Sequence, residues 1–180
     1  MELTEIIAAL QEFTSCDVAD ALVKLGVSEG GFLPDLTLWS PERQQSAAKI
    51  VGPAYTVQYQ YRPDDGSPTP SVDSAPAGSV ILVSCPPGMI QSCWGGLTSR
   101  RAQIRGIAGT IVDGRIRDLE ELRDLEYPVF ARDVGPYPPH GVAFVSEVLQ
   151  TVRSLAEIEK AKTDAIIRGE SMTKVSKYIS

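Results

Sequence analysis

The ten residues GTIVDGRIRD, at positions 109–118, decide the fold class of this chain. They open with the apolar run 109–112, which is typical of a strand buried on both faces of a sheet. Asp113-Gly114 then predicts a turn, and the acidic stretch 118–125 predicts a short helix. A buried strand followed closely by a helix is the unit from which parallel sheets are built.

Similar units lie on both sides of this stretch. Residues 80–83 predict another buried strand, 97–104 a helix, and 128–131 a third strand, while 49–61 has the partial alternation of a further strand. Strands and helices that alternate in short units imply parallel pairing with right-handed crossovers. The predicted fold class is therefore α/β, and ligands in such sheets bind at the carboxyl ends of the strands.

The outer segments divide into helices and irregular chain. The predicted helices are residues 3–10, a second helix capped by Thr14 and Ser15 and ended by Gly26, and a long terminal helix over about 148–168. Residues 30–41 and 62–76 predict loops. The length suits one domain, and we expect residues 1–180 to form it.

Composition excludes several classes of protein. The net charge of -6 argues against a nucleic-acid surface, because phosphate binding needs clustered lysine and arginine. Cys16, Cys85 and Cys93 are odd in number and fit no zinc spacing, so we expect reduced thiols. A catalytic thiol in the segment 85–93 would need a histidine partner, and the chain has only His140. With no signal peptide or apolar span, we expect a cytoplasmic protein with no membrane partner.

The segment Gly95-Gly96-Leu97-Thr98 is the first candidate binding site. Glycines just before a helix let backbone N–H groups converge, and the start of the helix adds positive potential. A carboxylate or phosphate could bind there. The alternative is a tight strand-to-helix turn without a ligand.

Arg117 and Asp118 form the second candidate, directly after the strand at 109–112. The alternative is an ordinary helix cap at Asp118 beside a surface cation. Adjacent parallel strands would, however, bring this pair and the Gly95-Gly96 turn to one crevice. A planar arginine can bind the carboxylate of a 2-oxo acid, and an aspartate can bind Mg²⁺ or Mn²⁺. Such a metal would polarise the keto oxygen of the 2-oxo acid.

Several blocks together resemble one superfamily. In order along the chain they are residues 17–22, 51–54, 94–97, 105–106, 109–118 and 128–132. The chain is similar to the superfamily that contains the class II 4-hydroxy-4-methyl-2-oxoglutarate aldolases and the regulator of ribonuclease activity A (RraA). The resemblance extends over about residues 14–134 and, less tightly, the final helix.

This resemblance implies a layered α/β/α sandwich of the RraA-like swivelling-domain type and an activity. Family aldolases need a divalent metal and cleave 4-hydroxy-4-methyl-2-oxoglutarate or 4-carboxy-4-hydroxy-2-oxoadipate to pyruvate and a second oxo acid. They also decarboxylate oxaloacetate, and they form homotrimers or hexamers with sites between subunits. The resemblance assigns Arg117 and the amides of Gly95, Gly96, Leu97 and Thr98 to the substrate, and Asp118 to the metal.

The chain departs from the family pattern in two places. Bacterial aldolases often carry an aspartate where this chain has Gly96, although Trp-Gly-Gly-Leu is similar to fungal relatives. A block of strands also looks to be missing around Val148-Leu149, which implies an incomplete, less stable fold. A non-catalytic regulator and an inactive truncated isoform are therefore alternatives to the aldolase, although the presence of Arg117 and Asp118 together favours the enzyme.

Overall fold

A computed structural model describes residues 2–44, 48–61, 72–140 and 142–150. The chain separates into two compact units, one containing residues 1–34 and the other residues 35–151. The single domain over 1–180 stays a prediction, because residues 152–180 lie outside the described residues. No helix in the described ranges is long and apolar enough to cross a membrane.

The unit at residues 1–34 is helical, as the sequence predicts. Helix α1 runs over Leu3–Gln11 and α2 over Ser15–Lys24, followed by a 3-10 turn at Ser28–Gly31. At the start of α2, Thr14 Oγ1 accepts a hydrogen bond from the Asp17 N–H at 3.2 Å, and the Asp17 carboxylate accepts one from the Thr14 N–H at 2.9 Å. This reciprocal capping box satisfies two N–H groups that the helix itself leaves free. Gly26, with a φ of +82°, ends the helix.

The unit at residues 35–151 is built around a sheet. Its strands in the described residues are β1 (Thr37–Ser40), β2 (Ala54–Tyr61), β3 (Val80–Ser84), β4 (Ser92–Trp94), β5 (Gly109–Ile116), β6 (Val129–Val134) and β7 (Ala143–Gln150). Its helices are α3 (Gly96–Ile104) and α4 (Leu119–Asp124). The strand order is β1-β6-β5-β3-β2-β7, and β4 also pairs with β5. The α/β prediction is confirmed.

Parallel pairing fills the centre of the sheet. In the order β2-β3-β5-β6, each strand pairs parallel with the next. At the two edges of the sheet, β1 pairs antiparallel with β6 and β7 pairs antiparallel with β2. Apolar side chains such as Ile81, Val112 and Val129 are fully buried in these strands, together with Leu122 of α4. Each such side chain contributes roughly 1.5–3 kcal/mol relative to an exposed position. This core holds the carboxyl ends of the central strands in place.

Two predictions of irregular chain inside this unit are wrong. Asp113-Gly114 is not a turn, because β5 continues to Ile116 and pairs through Arg115 with both β4 and β6. Part of the predicted loop 30–41 is strand β1, which pairs with β6. The Trp39 Nε1–H donates to the Ala131 carbonyl at 3.1 Å and holds β1 in place.

The predicted terminal helix is wrong at its start. Residues Val148 to Gln150 belong to β7, whose backbone pairs with β2 in the register Val57↔Val148 and Tyr55↔Gln150. The edge of a sheet leaves backbone N–H and C=O groups unpaired, and pairing with β7 satisfies them along β2. The rest of the predicted helix, 151–168, lies outside the described residues, as does the part 62–71 of the predicted loop.

Candidate functional site

Strands β4 and β5 end side by side, and this brings two candidate segments together. Trp94 is paired with Ile116, and the Arg117 N–H donates to the Trp94 carbonyl at 3.0 Å. Gly95 then leaves β4 in an extended conformation and caps α3. Sequence reasoning anticipated the meeting of the two loops but missed β4, because a strand of three residues has too little alternation to be recognised.

Asp118 occupies the position before α4 but does not cap it. Its backbone is left-handed, with φ 60° and ψ 45°, a conformation that aspartate tolerates better than most residues. The carboxylate makes no capping bond to α4 and instead accepts a hydrogen bond from the Gly96 N–H at 3.1 Å. The cap predicted as the alternative role for Asp118 is therefore absent from α4, and the side chain faces the start of α3.

Arg117 and Asp118 form a close cation–carboxylate pair. The Arg117 Nε lies 3.5 Å from Asp118 Oδ2, and each side chain is about 35% exposed. The same Oδ2 accepts the Gly96 N–H, so one carboxylate oxygen links both candidate segments. At this exposure the pair adds little to stability. Its position at the ends of two parallel strands is where α/β proteins bind ligands.

Both glycines of the turn are required by neighbouring side chains. A Cβ at Gly95 would lie 2.5 Å from Asp118 Oδ2 and 3.1 Å from Arg117 Cγ. A Cβ at Gly96 would overlap the Glu121 carboxylate and lie 3.0 Å from the Glu121 Cβ. Glycine at these two positions therefore leaves room for the carboxylates of Asp118, which precedes α4, and of Glu121, which lies in α4.

Glu121 is a site residue that sequence reasoning missed. It is exposed, follows Asp118 by three positions, and places a second carboxylate against the same glycine turn. Asp118 lies outside α4 with a left-handed backbone, so the spacing of the two acidic residues did not predict this contact. The next residue, Leu122, is fully buried and fixes the orientation of α4 on the sheet.

A small cavity opens beside Arg117 and Asp118. Its volume is about 320 Å³, and its wall is formed by Ile116, Arg117, Asp118, Leu119, Val134, Gly135 and Pro136. The Gly135 N–H donates to the Ile116 carbonyl at 2.9 Å, which holds the two ends of this wall together. The volume suits a ligand of few atoms. Gly95, Gly96, Leu97 and Thr98 do not line the cavity, and Leu97 is 84% exposed on the surface.

The donor set fits a hard divalent cation better than a structural zinc ion. Within the described ranges, no three histidine, cysteine or acidic side chains cluster as a metal site. Asp118 and Glu121 nevertheless bring two carboxylates to one turn. Mg²⁺ is usually bound through one or two carboxylates and keeps several waters, whereas structural zinc requires four nitrogen or sulfur ligands.

Comparison with known proteins identifies the family. Residues 15–153 match the model of the RraA-like family, described as aldolase/RraA. The chain therefore belongs to the RraA-like family. A solved structure from Streptomyces coelicolor, described as an unusual member of the RNase ES inhibitor RraA protein family, is 26% identical with a TM-score of 0.69, covering 80% of this chain and 70% of that one.

Two sequence relatives extend the comparison. Protein DlpA of Legionella pneumophila is 34% identical over 132 residues, which is 69% of this chain and 20% of that protein. A putative 4-hydroxy-4-methyl-2-oxoglutarate aldolase of Halalkalibacterium halodurans is 33% identical over 84 residues, covering 47% of this chain and 40% of the relative. The chain thus matches less than half the length of either relative.

Proposed function

We propose that this chain is a divalent-metal-dependent carbon–carbon lyase. Its substrates would be 4-hydroxy-4-methyl-2-oxoglutarate or 4-carboxy-4-hydroxy-2-oxoadipate, cleaved to pyruvate and a second oxo acid, with oxaloacetate decarboxylation as a related activity. The observation that carries the proposal is the Arg117–Asp118 pair in the wall of an open cavity of about 320 Å³. Family membership and the relative named as an aldolase support the choice of reaction.

Arg117 would bind the carboxylate of the 2-oxo acid. Its guanidinium group is planar, permanently charged and able to donate two parallel hydrogen bonds to one carboxylate. The contact of Nε with Asp118 and the backbone bond from Arg117 N to Trp94 restrict where the guanidinium can lie. A short 2-oxo acid bound to it would therefore present its keto group next to Asp118.

Asp118 would hold Mg²⁺ or Mn²⁺, with Glu121 close enough to the same turn to assist through water. When bound, the cation would polarise the keto oxygen and stabilise negative charge that develops on it. The bond from the Gly96 N–H fixes the position of the Asp118 carboxylate before any ligand arrives. Positioning of this kind lowers the cost of reorganisation during the reaction.

The turn 95–98 would contribute backbone donors. The Gly96 N–H is engaged by Asp118, but the N–H groups in the first turn of a helix have no acceptor within that helix. Leu97 and Thr98 do not line the cavity, so their amides would supply hydrogen bonds only to substrate oxygens that extend past Asp118 toward the turn. We also propose that copies of the chain assemble as trimers or hexamers, with neighbouring subunits completing the site.

A non-catalytic regulator is the second candidate. The similarity to the Streptomyces coelicolor protein, a member of an RNase inhibitor family, favours it. The exposed apolar residues Leu97 and Ile104 on α3, 84% and 70% exposed, could contact a protein partner. A third candidate is an inactive short form that lacks the strand block expected around Val148-Leu149.

The Asp118→Asn variant tests directly whether Asp118 is the proposed metal ligand. Asparagine also tolerates the left-handed backbone and can still accept the Gly96 N–H, so the fold should be retained. We expect Mn²⁺ binding and metal-dependent pyruvate release from oxaloacetate to fall by about a hundredfold or more. Asp124→Asn, at an exposed position at the end of α4, is the matched control and should leave both unchanged.

Full turnover in Asp118→Asn would refute the assignment. A folded wild-type chain without metal binding or turnover, combined with tight binding to a ribonuclease, would favour the regulator. A folded chain with neither property would favour the inactive form.

A further inference from the structure

Two cysteines lie in contact just before the glycine turn. Cys85 directly follows β3, and Cys93 is the central residue of β4. Both strands pair with the same edge of β5, through Ser84↔Asp113 and Ser92↔Arg115. The chain therefore leaves the sheet at Cys85 and returns to it at Cys93, and the two Sγ atoms are 3.0 Å apart.

The surrounding structure makes room for this pair and holds it. A Cβ at Gly114, between the two paired positions of β5, would lie 2.6 Å from Cys85 Sγ, so a larger residue there would displace the thiol. Met89, within the segment that joins the cysteines, is buried with its Sδ 3.8 Å from Cys93 Sγ. The Ser92 N–H donates to the Tyr137 carbonyl at 2.7 Å and fixes the end of the segment.

We propose that Cys85 and Cys93 are a site of reversible oxidation, at which a peroxide converts the two thiols to an intramolecular disulfide. A disulfide needs its sulfur atoms about 2 Å apart, so the separation of 3.0 Å between the two Sγ atoms has to shrink by about 1 Å. The inference is independent of the proposed lyase activity, because it rests on the sulfur contact alone.

The reaction is balanced with a peroxide as the only oxidant. The Cys85 sulfur attacks one peroxide oxygen, the O–O bond breaks, and the products are a sulfenic acid and water or an alcohol. The Cys93 sulfur then attacks the Cys85 sulfur, the S–S bond forms, and the sulfenic oxygen leaves as water with the remaining thiol proton. Cys85 reacts first because it is partly exposed, whereas Cys93 is buried.

The surroundings of Cys85 set the speed of the first step. Its hydrogen bond to Cys93, followed by burial and the negative charge of nearby Asp113, raises the pKa of the Cys85 thiol above its ordinary value. Since the thiolate is the reactive form, oxidation should be slower than at a cysteine with a lowered pKa.

Oxidation would act on the turn that contacts Asp118. Cys93 is followed by Trp94, whose carbonyl accepts the Arg117 N–H, and then by Gly95. A bond from Cys85 to Cys93 would tie the start of β4 to the end of β3 and reduce the freedom of this turn. Oxidised chain should therefore unfold at a higher temperature than reduced chain.

The test uses the full chain with Cys16→Ser, which removes the exposed third thiol. After treatment with hydrogen peroxide, we expect the intact mass to fall by two hydrogens, both thiols to be lost, and dithiothreitol to restore them. Peptide mapping should join Cys85 to Cys93. Cys85→Ala in the same background should show no loss of mass.

Other products would overturn the inference. Addition of oxygen atoms without a cross-link, a cross-link only between chains, or two thiols that stay free under peroxide would each contradict it. Cys85 is partly exposed, so we expect the Cys85→Ala variant to fold. Its thermal unfolding under reducing conditions should match that of the reduced parent chain. Pyruvate release measured in parallel would show separately whether oxidation alters the proposed activity.

Discussion

Replacing Gly96 with alanine should destabilise the chain through one neighbouring side chain, that of Glu121. A Cβ at position 96 would overlap the Glu121 carboxylate and lie 2.9 Å from its Cδ and 3.0 Å from its Cβ. Glu121 is exposed, so rotation of its side chain can relieve the overlap with the carboxylate. Rotation cannot relieve the contact with the Glu121 Cβ, because the backbone of α4 fixes that atom.

The net effect should be a loss of about 1–2 kcal/mol in the free energy of unfolding. Overpacking of this kind costs roughly 1–3 kcal/mol. Alanine is favoured over glycine by up to about 1 kcal/mol inside a helix, and the gain is smaller here because Gly96 is the first residue of α3. In a Glu121→Gly background the Glu121 Cβ is gone together with the carboxylate, so Gly96→Ala should cost close to nothing.

Equilibrium unfolding in denaturant measures how much the cost of Gly96→Ala changes between the two backgrounds. The experiment needs the wild type, the two single variants and the double variant. We expect a coupling free energy of about 1–2 kcal/mol between positions 96 and 121. Glu120→Gly, at the exposed neighbouring position, is the matched control background and should leave the full cost of Gly96→Ala. Effects at 96 and 121 that add to within about 0.5 kcal/mol would refute the packing of Glu121 against the turn.

Three further changes test other parts of the account. Gly95→Ala places a Cβ 2.5 Å from Asp118 Oδ2, so Mn²⁺ affinity measured by titration should fall by about tenfold or more. Arg117→Lys keeps the charge but loses the planar fork, so KM for oxaloacetate should rise roughly tenfold with a smaller change in kcat. Burial, partly offset by the hydrogen bond with Thr110, raises the pKa of Tyr127 to about 12 from 10.0. The unfolded chain therefore loses this proton first, and the free energy of unfolding should fall by about 2 kcal/mol from pH 10 to 12. Denaturant unfolding should show a smaller fall in Tyr127→Phe.

The central α/β pattern could be predicted because the buried strands are marked by continuous apolar runs. Residues 80–83 and 109–112 both lie in parallel strands of the sheet, as expected. The meeting of the two site loops also followed from strand order, since parallel neighbours end at the same edge. Short or peripheral strands were harder, and residues 148–150 show why: their apolar spacing suits a helix, but the open edge of β2 pairs them as a strand.

The details of the site depend on contacts that spacing along the chain does not reveal. Asp118 was predicted to bind a metal, with a cap of α4 as the alternative; the cap is absent, because the left-handed backbone directs the carboxylate to the Gly96 N–H. Glu121 was missed because its approach to Gly96 depends on how α4 packs against α3. The contact between Cys85 and Cys93 depends in the same way on β4 and on the space above Gly114.

The most direct test of the proposed function is the initial rate of pyruvate release from oxaloacetate, with and without Mg²⁺, corrected for decarboxylation by the metal alone. The wild type should be compared with Arg117→Ala and with Arg123→Ala, a control at an exposed arginine of α4. We predict a Mg²⁺-dependent rate that Arg123→Ala retains and Arg117→Ala loses. Equal rates in the two variants, or no Mg²⁺-dependent rate from a folded wild-type chain, would contradict the account.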